Sequence, residues 1–158
     1  MNKLLLVVLL CALGMGLYAQ TGLFGLSYGD SYKQVKDKLS KVEDHFTDTI
    51  STGTERCFVA SNDSQVDHID AKFDAKLEKL LAWKIYYNGY YDAEQFDYVM
   101  ENASELHGVG DCDDEDDYAP YYWDLDGEKM LFVGFNGDDW LVADYYNPIC
   151  ADFSDFSW

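Results

Sequence analysis

Tyr121-Tyr122-Trp123-Asp124-Leu125-Asp126-Gly127-Glu128-Lys129-Met130-Leu131-Phe132-Val133-Gly134-Phe135-Asn136-Gly137-Asp138-Asp139-Trp140-Leu141-Val142-Ala143-Asp144-Tyr145-Tyr146 reads as three strands joined by two tight turns. The segments from about Tyr121 to Asp126, Lys129 to Phe135 and Asp139 to Tyr146 are rich in aromatic and β-branched residues, which suit a pleated surface. Asp126-Gly127 and Asn136-Gly137 separate them, and both pairs tolerate the positive φ that a hairpin turn needs. Strict alternation then sorts the side chains. Trp123, Leu125, Leu131, Val133, Phe135, Leu141 and Tyr145 face a core, while Tyr122, Asp124, Met130, Phe132, Trp140, Val142, Asp144 and Tyr146 face the other way.

Working outward, Asp92 followed by Gln95 is a helix-start signal, and Phe96, Val99, Ala103 and Leu106 share one helical face before Gly108. Ser31 and Gln34 repeat the signal, with Tyr32, Val35, Leu39 and Val42 on one face. After that first helix, strands are expected at about Glu55 to Ala60, Val66 to Phe73 and Leu80 to Asn88. Ile69, Ala71 and Phe73, then Leu81, Trp83, Ile85 and Tyr87, alternate toward one side. Ile85-Tyr86-Tyr87-Asn88 and Asp144-Tyr145-Tyr146-Asn147 end their halves alike, at nearly the offset that separates the two helix starts. The reading is an α+β domain built as a tandem αβββ repeat: an antiparallel sheet with two helices on one face and the other face open. Repeat one covers about residues 23–88, repeat two about 89–147, and a C-terminal tail 148–158.

The segment Phe24-Gly25-Leu26-Ser27-Tyr28-Gly29-Asp30-Ser31, running into Val35 and Leu39, resembles the glycine-containing lead-in to the first helix of small exported bacterial domains. With the tandem αβββ order it resembles the β-lactamase-inhibitor-protein-like fold, and SmpA/OmlA-type envelope proteins are similar in layout. The resemblance implies a protein that binds other proteins and does no chemistry. Two departures stand beside it: the inhibitor proteins carry a disulfide in each repeat, and the assembly lipoproteins carry a lipobox, which is absent here.

At the amino terminus, Met-Asn-Lys precedes an uncharged apolar run from Leu4 to Leu13, and Ala19 is a small residue placed for cleavage before Gln20. Residues 1–19 therefore read as a secretory signal peptide, and residues 20–158 as one periplasmic or secreted domain with no membrane insertion of the mature chain. Cys11 follows Leu10, where a lipid-modification signal wants a small residue. Without the signal segment three cysteines remain, Cys57, Cys112 and Cys150; a Cys112–Cys150 disulfide is expected, because a loop and a tail adapt to bridging geometry more readily than a strand. The formal net charge of −19 disfavours nucleic acid and anionic lipid, which are recognised through Lys and Arg. It leaves a basic protein partner and divalent cations as compatible ligands.

No motif carries catalytic chemistry. His45, His68 and His107 lie in no zinc-protease helix motif and beside no nucleophile elbow, and a zinc site from His107, Cys112 and another cysteine lacks a Cys-x-x-Cys pair. Asp111, Asp113, Asp114, Glu115, Asp116 and Asp117 surround Cys112 and are weak calcium candidates, because the EF-hand spacing fails: its glycine position is Asp116 and its glutamate position Tyr122. No cofactor is expected. The sequence supports a non-catalytic, inhibitor-like protein-binding module, with a calcium-binding structural or adhesion domain second and a carboxylate hydrolase third. Its expected partner-binding residues are Tyr122, Asp124, Phe132, Trp140, Asp144 and Tyr146, since tyrosine and tryptophan bury large area at low entropic cost.

Overall fold

The computed structural model describes residues 21–61, 64–90, 92–112 and 119–148. The expected signal peptide, Cys150 and most of the acidic run fall outside them.

A single-turn 3-10 segment at Leu23–Gly25 leads into helix α1 (Tyr32–Leu39), and helix α2 spans Ala93–His107. Ser31 closes a full capping box on α1: its hydroxyl accepts from Gln34 N while Gln34 Oε1 accepts from Ser31 N at 2.8 Å. Asp92 caps α2 by accepting from Glu94 N and Gln95 N. Helix α1 stops at Leu39, so Val42 lies in the turn beyond it rather than on its face. On α2, Phe96, Val99 and Ala103 are buried, whereas Leu106 is 49% exposed. The inward position at the end of that face belongs to half-buried His107, which reaches the core tyrosine Tyr145.

Among the described residues eight strands form one antiparallel sheet: β1 (Thr47–Thr52), β2 (Glu55–Val59), β3 (Val66–Phe73), β4 (Leu80–Tyr90), β5 (Asp111–Cys112), β6 (Tyr121–Asp124), β7 (Met130–Phe135) and β8 (Trp140–Tyr146). Their spatial order is β1-β2-β3-β4-β8-β7-β6-β5. Each helix is thus followed by four described strands, where the sequence pattern marks three. The two additions are the edges. β1 reads Thr-Asp-Thr-Ile-Ser-Thr and β5 has two residues, and a polar or very short edge strand carries little hydrophobic alternation. Asp111 and Cys112 accordingly belong to a strand paired with Tyr122 and Tyr121, not to a loop.

Cross-strand register explains the core. Phe58, Ile69, Ile85, Ala143 and Val133 are successive partners from β2 to β7, and every one is buried. The neighbouring row pairs Ala71 with Trp83, Trp83 with Tyr145, Tyr145 with Leu131 and Leu131 with Trp123. Both helices cover this one face, contributing Val35, Leu39, Phe96, Val99 and Ala103 to the same cluster. Leu81 departs from the expected inward alternation and is 42% exposed, because the β3–β4 register shifts between Lys72 and Phe73 and Leu80 takes the buried place. At the β7–β8 turn the positive φ falls on Asp139 (63°) rather than on Gly137; Asn136 N donates to Trp140 O, which makes a three-residue loop.

Trp83 and Tyr145 stack at 4.3 Å, and the chain at Gly22 runs against them. A methyl group there would sit 2.6 Å from the Tyr145 ring and 2.7 Å from Trp83, so only glycine fits. The Tyr145 hydroxyl accepts from Leu23 N at 2.9 Å and lies 3.1 Å from His107 Nε2. Burial lowers the His107 imidazole below its ordinary value and favours its neutral form, which can share a hydrogen bond with the Tyr145 hydroxyl.

Candidate partner-binding face

Side chains alternate across each strand, so whatever the core row leaves out stands on the side of the sheet away from the helices. There, Cys57, Asp70, Lys84, Asp144, Phe132 and Tyr122 are successive cross-strand partners from β2 to β6. A second row runs Val59, His68, Tyr86, Val142 and Gly134. All six residues expected at the partner site, Tyr122, Asp124, Phe132, Trp140, Asp144 and Tyr146, lie on this side. Tyr122, Phe132, Trp140 and Tyr146 are half-buried.

The face is organised by ring contacts. His68 stacks on Tyr86 with centroids 4.1 Å apart and planes 13° apart, and Tyr86 meets Trp140 edge-on at 6.3 Å. Tyr122 and Phe132 contact at 5.4 Å on the far side. Between the two groups Lys84 Nζ lies 2.9 Å from Asp144 Oδ2, with 17% and 22% of the two side chains exposed. Burial raises the Asp144 carboxyl above its ordinary value, and the Lys84 ammonium pulls it part of the way back.

The two aspartates among the expected partner-binding residues are therefore engaged within the chain. Asp144 holds Lys84, and Asp124, although exposed, accepts from Gly127 N at 2.5 Å to brace the β6–β7 turn. The second half alone also understates the face. Lys84, Tyr86, His68, Asp70 and Cys57 extend it into the first half. The signal was present in the pattern that turns Trp83, Ile85 and Tyr87 inward: on the same strand it turns Lys84 and Tyr86 outward.

At the β2–β3 end, His68 Nδ1 is 2.7 Å from Asp67 Oδ2 and His68 Nε2 is 3.6 Å from Asp70 Oδ2. Burial opposes protonation of this imidazole, but hydrogen bonds to Asp70 and Asp67 outweigh it and raise His68 above its ordinary value. Burial, reinforced by Asp70, pushes the Cys57 thiol up to about 12. Cys57 would be a poor nucleophile in this state.

Other expected site residues are dispersed. His107 lies on the helix side against Tyr145 and Cys112 is at the β5 edge, so the zinc grouping weighed from the sequence is not assembled among the described residues. Asp111 is exposed at the start of β5, while Asp113, Asp114, Glu115, Asp116 and Asp117 lie outside the described residues. Among the described residues no two cysteines are bonded; the expected Cys112–Cys150 pairing lies outside them through Cys150. Among the described residues, no helix is long and apolar enough to cross a membrane. A concavity of about 170 Å³ opens on the other side of the sheet, lined by Leu23, Phe24, Asp44, Tyr87, Tyr98 and Asn102 among others. No family model, curated protein or solved structure matches the chain.

Proposed function

We propose that this chain is an exported, non-catalytic protein-binding module of the bacterial envelope or exterior, which uses the helix-free face of its sheet as the contact surface. The observation that carries the reading is the aromatic content of that face. Antiparallel sheets covered on one side ordinarily turn polar side chains to the other. Here half-buried Tyr122, Phe132, Trp140 and Tyr146 occupy it beside buried Tyr86, around the Lys84–Asp144 pair. Rigid aromatic rings around a partly desolvated ion pair are the composition of interface hot spots.

A net charge of −19 favours a basic partner through the long-range field, which steers encounter even where no single aspartate stands free. We also read the two halves as copies of one unit, in the arrangement of β-lactamase-inhibitor-like proteins. A helix followed by a meander occurs twice, and the strand order runs outward from the central β4–β8 pair in the same way on both sides.

The test is affinity capture from the envelope fraction of the source organism with two baits, the wild-type chain and a Tyr122→Ala/Phe132→Ala variant. These two side chains are half-buried and outside the core row, so the variant is expected to retain its circular dichroism spectrum. A saturable protein partner recovered by the wild type should be lost or at least tenfold depleted with the variant, as removal of a hot-spot pair requires. Equal recovery by both baits would remove this face from the interaction.

A further inference from the structure

We propose that Cys57, His68 and Asp70 form a binding site for a zinc-class divalent transition-metal ion, with a fourth coordination position turned toward solvent on the open face. The proposal does not depend on the protein-binding reading. It rests on how two adjacent strands present their donors. Cys57 of β2 is the direct cross-strand partner of Asp70 of β3, and His68 stands two residues before Asp70, on the same side of the strand. One sulfur, one nitrogen and one carboxylate oxygen come within 4.8 Å of one another.

The geometry near the histidine is already that of a ligated ring. A tetrahedral zinc ion with bonds of about 2.1 Å to nitrogen and oxygen holds those two atoms about 3.4 Å apart. His68 Nε2 and Asp70 Oδ2 are 3.6 Å apart. The other ring nitrogen is taken: Nδ1 is 2.7 Å from Asp67 Oδ2, the carboxylate–histidine arrangement that fixes the tautomer and leaves Nε2 for the metal. Stacking on Tyr86 holds the ring plane as well. Cross-strand register sets Cys57 directly opposite Asp70, so the three donors converge from two adjacent strands.

The donor set also selects the ion. A thiolate, an imidazole and a carboxylate are borderline-soft to hard ligands whose summed charge cancels that of a divalent ion; calcium and magnesium take oxygen donors instead. Among the described residues Cys57 is bonded to no other cysteine, and its thiol gives up its proton to solvent as the metal binds, so affinity rises with pH.

Calorimetric titration of the reduced, purified full chain with zinc chloride, in excess calcium to occupy surface carboxylates, is expected to give one ion per chain. Asp67→Asn, which removes only the positioning carboxylate, should weaken binding about 10–100-fold. Cobalt substitution should produce a thiolate-to-metal charge-transfer band in the wild-type chain and none in Cys57→Ser. The wild-type band requires no variant to fold. Binding of cobalt without that band, a band that persists in Cys57→Ser, or zinc affinity unchanged by Asp67→Asn would each overturn the assignment.

Discussion

Trp83→Ala is expected to cost about 3–5 kcal/mol of folding stability, enough to leave a domain of this size only marginally folded. Trp83 sits in the central strand β4, is 1% exposed, and is touched from three directions: Tyr145 stacks on it at 4.3 Å, Tyr28 tilts against it at 4.8 Å, and the Gly22 backbone passes beside both rings. No neighbouring group can collapse into the vacated volume without giving up its own contacts, so the cavity term adds to the transfer term. Trp83→Phe should cost far less. The Trp83 Nε1 group is buried without a hydrogen-bond partner, and phenylalanine removes that unsatisfied donor while keeping a ring in the stack. Urea denaturation of the three proteins checks the order; similar losses for alanine and phenylalanine would mean that the indole nitrogen, not the packing, holds the site.

Lys84→Met should cost about 2–3 kcal/mol at neutral pH, below the roughly 3–5 expected for a fully buried pair broken on one side. The discount reflects the 17% and 22% of the two side chains that remain exposed. Methionine keeps most of the apolar stem but leaves Asp144 without its ammonium. Burial already raises the Asp144 carboxyl, and without Lys84 it rises further. The folded protein then holds the Asp144 proton at pH values where the unfolded chain releases it. The variant's deficit is therefore complete above this raised folded value, shrinks as pH falls through it, and is nearly gone around pH 4, the ordinary aspartate range. Stability curves of wild type and variant at several pH values should converge on acidification. A deficit that does not change with pH would assign the loss to packing and not to charge.

Much of this architecture is legible in the sequence because periodicity and turn chemistry agree. The six strands marked by aromatic alternation fall within a residue or two of those in the structure, and both helix caps form as Ser31, Gln34 and Asp92 indicate. What escapes has specific causes. β1 and β5 lack hydrophobic alternation because edge strands need none. Leu81 turns outward because a register shift between β3 and β4, invisible in one strand's own pattern, reverses its side. For the candidate site, membership of the open face follows from parity. The engagement of Asp144 by Lys84, and the meeting of Cys57 with His68 and Asp70, depend instead on which residues oppose each other across strands. No single segment encodes that register.

The most direct measurement is hydroxyl-radical footprinting of the chain alone and in complex with its captured partner. Oxidation of Tyr122, Met130 and Phe132 should fall several-fold in the complex, while Tyr98 and Leu106 on the exposed side of α2 keep their labelling. Protection of Tyr98 and Leu106, with the open face labelled as in the free chain, would contradict the account.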